Sequence, residues 1–188
     1  MQMLILVKMH HSLVMQLLLI LWLGLDSLEP FFSKAQETGS GLFILVHTSN
    51  KGSQDIQEIL INEDLKCYEH LANILKPIIE KNNGKSGSSS IGIVSGATYK
   101  HQAISLRKLL PTAPFLIPGY GAQGASASDA TTPLIIDKSY PGLRNFGLIN
   151  ASRSVLFPER SYLACCIEEW QDIILKELNK TNNELINA

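Results

Sequence analysis

The chain has 188 residues, a formal net charge of −1, 45% hydrophobic and 18% charged residues. That is the composition of a soluble globular domain long enough to bury a core. It lacks the excess of positive charge with which proteins track a nucleic-acid backbone, so nucleic acid is not expected as a partner. The three cysteines, Cys67, Cys165 and Cys166, form no C-x-x-C pair, which points to reduced thiols in a cytosolic protein rather than a disulfide or metal framework.

The first feature along the chain is Leu13 to Leu25, an almost wholly apolar stretch preceded by Lys8. A basic start and a short apolar core outline a secretory signal. The stretch is shorter than the ~20 residues of a membrane span, and no small-x-small cleavage site follows it. Asp26 to Pro30 reads as a helix N-terminus, with a capping side chain, an early acid and a proline whose missing N–H costs little there. Phe31, Phe32 and Ala35 continue that helix, and Gly39 and Gly41 end it.

Leu42 to Val46 is a continuous apolar run of strand length, closing on His47, Thr48, Ser49 and Asn50. A strand apolar on both faces predicts a parallel sheet covered by helices. Helical spacing is then expected from Asp55 to about Asn82, through Ile56, Ile59, Leu60, Leu71, Ile74, Leu75, Ile78 and Ile79. A polar loop, residues 82–90, leads to a strand at Ile91 to Val94 and a helix over 100–110. Phe115 to Ile117 is a short strand that enters a glycine-rich loop, Pro118 to Gly124. Gly147 to Asn150 is the last strand, and a closing amphipathic helix is expected over 159–179. The alternation argues for a parallel α/β fold.

In such folds ligands gather at the carboxyl ends of the strands. Four strand ends carry small or polar groups here: His47 to Asn50, Ser95 to Thr98, Pro118 to Gly124, and Asn150 to Arg153. Glycines in the third let backbone N–H groups approach an anion, and Gln123 adds an amide donor. Arg153 offers a planar guanidinium suited to phosphate, and the last two strand loops of a β/α barrel are a frequent phosphate site.

Two other motifs do not carry function. Gly84-Lys85-Ser86 imitates the end of a phosphate-binding P-loop, but the first glycine that motif requires falls on Ile79, and the motif precedes a strand instead of following one. His10, His11, His47, His70 and His101 show no ligand spacing with acids or cysteines, so no metal site is expected.

Taken together, Leu23 to Phe31 (LGLDSLEPF), Phe43 to Ser53 (FILVHTSNKGS), Gly92 to Thr98 (GIVSGAT), Phe115 to Gly124 (FLIPGYGAQG) and Asn150 to Arg153 (NASR) resemble the bacterial-type (type 2) orotidine 5'-phosphate decarboxylases. The resemblance runs in order over roughly residues 23 to 180. It implies an incomplete (β/α)8 TIM barrel, about strands 4 or 5 to 8 with their helices. It also implies a carbon–carbon lyase of pyrimidine biosynthesis that converts orotidine monophosphate (OMP) to UMP and CO2. No metal or organic cofactor, no membrane, a cytoplasmic location and a homodimer come with it.

By position, Ser49 would read the pyrimidine edge and Pro118 would sit beside the base. Gln123 and Arg153 would grip the phosphate, with Gly119, Tyr120 and Gly121 shaping the loop. The family's protonating lysine lies in a D-x-K-x-x-D motif, and no such motif occurs in these 188 residues. No catalytic residue is therefore assigned. The N-P-Y that precedes L-G in the family is replaced by Ile20-Leu21-Trp22. Residues 1–22 are read as a non-family apolar segment and 23–188 as the C-terminal part of the decarboxylase domain. Shifting the codons of Val14 to Leu21 by one base permits G-D-A-I-T-I-N-P, so a frameshift over the native fourth strand is the expected origin of that segment. Two alternatives from other classes are a non-catalytic nucleotide- or phosphate-binding remnant, and a membrane- or export-directed fragment anchored by residues 13–25.

Overall fold

The computed structural model describes residues 4–9, 12–139 and 144–188, with side chains described from Leu18 onward. His10, His11 and part of the 1–22 segment therefore lie outside the described residues. The strands are β1 (Leu4–Met9), β2 (Ser12–Ile20), β3 (Gly41–His47), β4 (Leu60–Asn62), β5 (Leu65–Lys66), β6 (Ile91–Ser95), β7 (Phe115–Pro118), β8 (Ile135–Ile136), β9 (Arg144–Asn145) and β10 (Gly147–Asn150). The helices are α1 (Glu29–Thr38), α2 (Cys67–Lys81), α3 (Lys100–Leu109), α4 (Ala127–Thr131), α5 (Ser152–Leu156) and α6 (Ile167–Ile186).

One six-stranded sheet organises the molecule, in the order β1-β2-β3-β6-β7-β10. The pairs from β2 through β10 are all parallel, and only the β1–β2 pair is antiparallel. Five parallel strands in sequence order, joined by helical crossovers, form an open arc of the closed β/α barrel, whose ring needs eight. The apolar stretch that outlined a signal sequence is thus strand β2 followed by short 3-10 turns. Among the described residues no helix is long and apolar enough to cross a membrane.

Burial follows position in the arc. β6 is buried at every residue, and Ile44, Ile93, Phe115 and Ile117 are fully enclosed with Leu75 of α2 and Leu106 of α3. That is what a parallel strand covered on both faces requires. β10, with no further strand beyond it among the described residues, leaves Leu148 at 51% exposure.

The helix boundaries differ from expectation in three places. α1 begins at Glu29 with Pro30 in its first turn and Leu28 as cap. Asp26 therefore does not cap it, and Ser27 donates instead to the Gly24 carbonyl at 2.6 Å. The helix does end at Gly39, whose φ of +65° is the left-handed stop glycine supplies.

The second difference is larger. Residues 56–66 are not helical: after a 3-10 turn at Lys51–Asp55 they make a turn and the β4–β5 hairpin. Asn62 accepts the N–H of Asp64 at 3.2 Å, an Asx-type turn that starts the hairpin. The backbone of Ile59 and Gln57 then pairs with Cys67 and Tyr68 at 2.9 and 3.0 Å, across the hairpin rather than one helical turn away. Ile59, Leu60 and Ile61 stay more than half or about half exposed, so their apolar spacing never reported a buried helix face.

Third, the helix expected over 159–179 opens only as a 3-10 turn at Glu159–Leu163, and α6 starts at Ile167 and continues to Ile186. The small β8–β9 ribbon between α4 and β10 had no periodic signal.

Arg107, in the last turn of α3, fixes the pole opposite the strand ends. Its guanidinium donates to the carbonyls of Pro133, Leu110, Pro111, Ala113 and Phe146 at 2.7–3.2 Å and lies 3.8 Å from the Phe115 ring centre. Burial lowers its pKa to about 10. The Phe146 carbonyl also accepts the Phe115 N–H at 2.9 Å. One cation thereby ties the entrances of β7 and β10, the two strands whose far ends carry the glycine-rich loop and Arg153.

Candidate functional site

The carboxyl ends of β3, β6, β7 and β10 lie side by side because the strands are parallel neighbours. Their loops touch. A Cβ on Gly96 would stand 2.6 Å from the Ser49 Cα and 2.7 Å from its N. A Cβ on Gly119 would stand 2.8 Å from the Ser49 Cβ. Real side chains do not approach so closely, so two glycines from two different strand ends make the slot in which Ser49 sits. Gly119 also has φ +105°, which non-glycine residues rarely adopt.

Side chains finish the fastening. Thr98 donates from Oγ1 to the Ser49 carbonyl at 2.8 Å, and the Tyr99 hydroxyl donates to the Asn50 carbonyl at 3.3 Å. On the other side the Thr48 N–H donates to Gln57 Oε1 at 2.8 Å. Gln57 Nε2 returns a bond to Thr48 Oγ1 at 3.1 Å.

Next to Gln57 stands a compact charged knot. Glu58 accepts from Lys66 Nζ at 2.6 Å and from Gln102 Nε2 at 2.8 Å, and it meets His47 Nε2 at 2.8 Å. His47 is fully buried and edges onto the rings of Tyr68 and Tyr99. Burial, the largest influence, holds the imidazole below its ordinary value, so a neutral ring with its proton on Nε2 donates to Glu58. Burial alone would raise Glu58, but the hydrogen bonds from Lys66, His47 and Gln102 outweigh it and hold the carboxyl below the usual range. His47 therefore does structural work at the exit of β3. Among the described residues no group of three or more His, Cys, Asp or Glu side chains could hold a metal ion.

The loop after β7 closes a small polar cavity of about 130 Å³, lined by Pro118, Gly119, Tyr120, Gln123, Asn150 and Arg153 among others. The structure thus brings Gln123 and Arg153, thirty positions apart in the chain, to one concavity, and both are exposed to solvent there. Gly121 lies against Ser154 of α5, 2.9 Å from its Oγ to a notional Cβ. The Tyr120 hydroxyl turns away and donates to Glu184 of α6 at 2.5 Å. Burial first, then Glu184, pushes this phenol up to about 12, so Tyr120 anchors the loop to the last helix as a neutral donor. A larger cavity of about 470 Å³ flanks the other side of the β3 exit, lined by Trp22, Thr48, Asn50, Gln57 and Leu71 among others. Gly84, Lys85 and Ser86 lie in the α2–β6 connection, which enters β6 at its amino end.

The model of the orotidine 5'-phosphate decarboxylase / HUMPS family matches residues 16–155. The chain belongs to this family. An orotidine 5'-phosphate decarboxylase of Clostridium perfringens (strain SM101 / Type A) is 40% identical over 135 residues, 72% of this chain and 45% of that protein. One from Clostridium tetani is 38% identical over 167 residues, 84% of this chain and 56% of that protein. Among solved structures, Leishmania donovani UMP synthase aligns over 92% of this chain and 33% of its own, with 30% identity and a TM-score of 0.65. The chain spans about half the length of the curated relatives it matches, and its five parallel strands are part of the family's barrel.

The residues singled out from the sequence, Ser49, Pro118, Gly119, Tyr120, Gly121, Gln123 and Arg153, all lie at these adjoining strand ends. What sequence reasoning missed is the apparatus behind Ser49: Gln57, Glu58, Lys66 and Gln102, together with the bond that Thr98 of a recognised strand end makes to Ser49. The expected helix over 55–82 concealed the first three, and no local pattern marks a residue whose partner is ten or fifty positions away.

Proposed function

We propose that this chain is part of an orotidine 5'-phosphate decarboxylase and contributes its ligand-holding side. Ser49 and Pro118 address the pyrimidine, Gln123 and Arg153 grip the phosphate, and Gly119, Tyr120 and Gly121 shape the loop between. The observation that carries this reading is the packing of Ser49 against Gly119, in the same loop that brings Gln123 beside Arg153. A ligand held by a ring at one end and an anion at the other suits that layout.

In the proposed reaction the C6–carboxylate bond of the ring breaks, CO2 leaves, and the electron pair left at C6 takes a proton. Binding energy from the remote phosphate serves that step only if it is realised in the transition state. Arg153 supplies a planar two-point donor to phosphate oxygens, and Gln123 adds a neutral one. The family's proton donor is the lysine of a D-x-K-x-x-D motif, which does not occur in these 188 residues. A cytoplasmic setting and a homodimer complete the proposal.

The missing motif favours a second reading, nucleotide or phosphate binding without turnover. An ultraviolet assay of OMP loss beside a UMP titration separates the two. Turnover by this chain overturns the assignment of the proton donor to residues outside it. Binding without turnover supports the ligand-holding role, and absence of UMP binding sinks both readings.

A further inference from the structure

We infer that Gln57 is a positioning residue for the loop that carries Ser49, fixing the Thr48–Ser49 segment from the side opposite Thr98. The inference rests on the nucleotide-holding role proposed above for that loop. Gln57 carries donor and acceptor on one planar carboxamide. It takes the Thr48 N–H at 2.8 Å and gives a bond to Thr48 Oγ1 at 3.1 Å. The Ser49 carbonyl, one peptide further on, is held by Thr98 at 2.8 Å. The segment is thus pinned on both sides of Ser49.

Gln57 is itself pre-set. Its N–H donates to the Ser53 carbonyl at 2.8 Å, and its carbonyl accepts the Tyr68 N–H at 3.0 Å. Its neighbour Glu58 is tied to Lys66, His47 and Gln102. The carboxamide is therefore delivered to Thr48 by a held backbone, not by a wandering surface side chain. The slot it serves has no slack, because Ser49 meets the positions of would-be Cβ atoms on Gly96 and Gly119 at 2.6 and 2.8 Å. A hydroxyl that must meet one edge of a ring gains from such placement, since small displacements weaken a hydrogen bond steeply. Gln57 does not line the Gln123–Arg153 cavity, so its brace acts on the Ser49 end.

The separation of the two ends supplies the test. The 188-residue chain is titrated calorimetrically with UMP and with ribose 5-phosphate, which shares the phosphate and lacks the ring. Wild type binds UMP more tightly than ribose 5-phosphate; equal binding overturns the nucleotide reading itself before any variant is made. Gln57→Leu is expected to weaken UMP about tenfold and to leave ribose 5-phosphate unchanged. Undiminished UMP binding, or equal weakening of both ligands, overturns the positioning role. Thr48→Val keeps the backbone N–H bond to Gln57 and removes the hydroxyl, which accepts from Gln57 and also donates to Asn50 Oδ1 at 2.7 Å. It is expected to shift UMP in the same direction, and the same two-ligand comparison on it decides the matter should Gln57→Leu not fold.

Discussion

The loop after β3 and the loop after β7 meet at Ser49 and Gly119, and they are built by opposite means. The β7 loop is backbone work: glycines at 119, 121 and 124 all have positive φ, and one side-chain tether, Tyr120 to Glu184, holds it to α6. The β3 loop takes no positive φ. It is held by long-range side chains, with Gln57 and Thr98 on the loop and Glu58 behind them. A loop shaped by its own dihedrals keeps its form when a distant contact is lost. A loop shaped by partners from three other elements does not. The contrast also divides the proposed work: the self-shaped loop faces the anion, and the braced loop presents a single hydroxyl.

Removing the brace tests this most severely. Glu58→Ala leaves the Lys66 ammonium and the buried His47 N–H without their acceptor, and is expected to cost about 3 kcal/mol of stability. Urea unfolding measures it, and a loss under about 0.5 kcal/mol, typical of plain surface changes, ends the claim that the β3 loop depends on the knot. Gly119→Ala comes next, at about 2 kcal/mol, because it adds both the disfavoured φ and a clash with Ser49. A tolerated alanine there means the two loops can part without penalty.

Arg153→Ala sharpens the division of labour. The side chain is exposed, so the melting temperature is expected to hold, whereas affinity for UMP and for ribose 5-phosphate falls alike by about tenfold. A fall for UMP alone in the two titrations contradicts a phosphate role.

The smallest effect is on the pH dependence of stability. The unfolded imidazole of His47 takes up a proton near pH 6.5, whereas burial holds the folded one below that value. The unfolded state thus binds the extra proton first. His47 contributes stability in full above pH 6.5 that is lost as pH falls through the folded value. Glu58, also depressed, adds a further loss at lower pH. The melting temperature is expected to drop between pH 7 and pH 5, and His47→Gln to flatten that drop; an unchanged slope removes His47 as its source.

The same contrast explains what could be read in advance. Strand β3 is apolar throughout its central run and β6 is a short apolar block, so hydrophobic pattern alone announces a covered parallel sheet. Pro118 to Gly124 announces a backbone-shaped loop because glycine is the residue such φ values demand. The 56–66 stretch mimics a helix because Ile56, Ile59 and Leu60 are spaced like a helix face. Pairing across the Asn62 turn, which periodicity cannot weigh, won instead.

By itself the sequence determined the α/β class, the alternation of β3, β6, β7 and β10 with helices, the family resemblance and the identity of the residues at the strand ends. Those follow from local chemistry: apolar runs, glycine dihedrals and motif blocks. Tertiary structure alone decided that Ser49 lies between Gly96 and Gly119, that Gln57 holds Thr48, and that a buried His47 joins Glu58, Lys66 and Gln102. Each of these is a contact between elements brought together by parallel strand pairing, and its partners carry no mark in the chain until the sheet has formed.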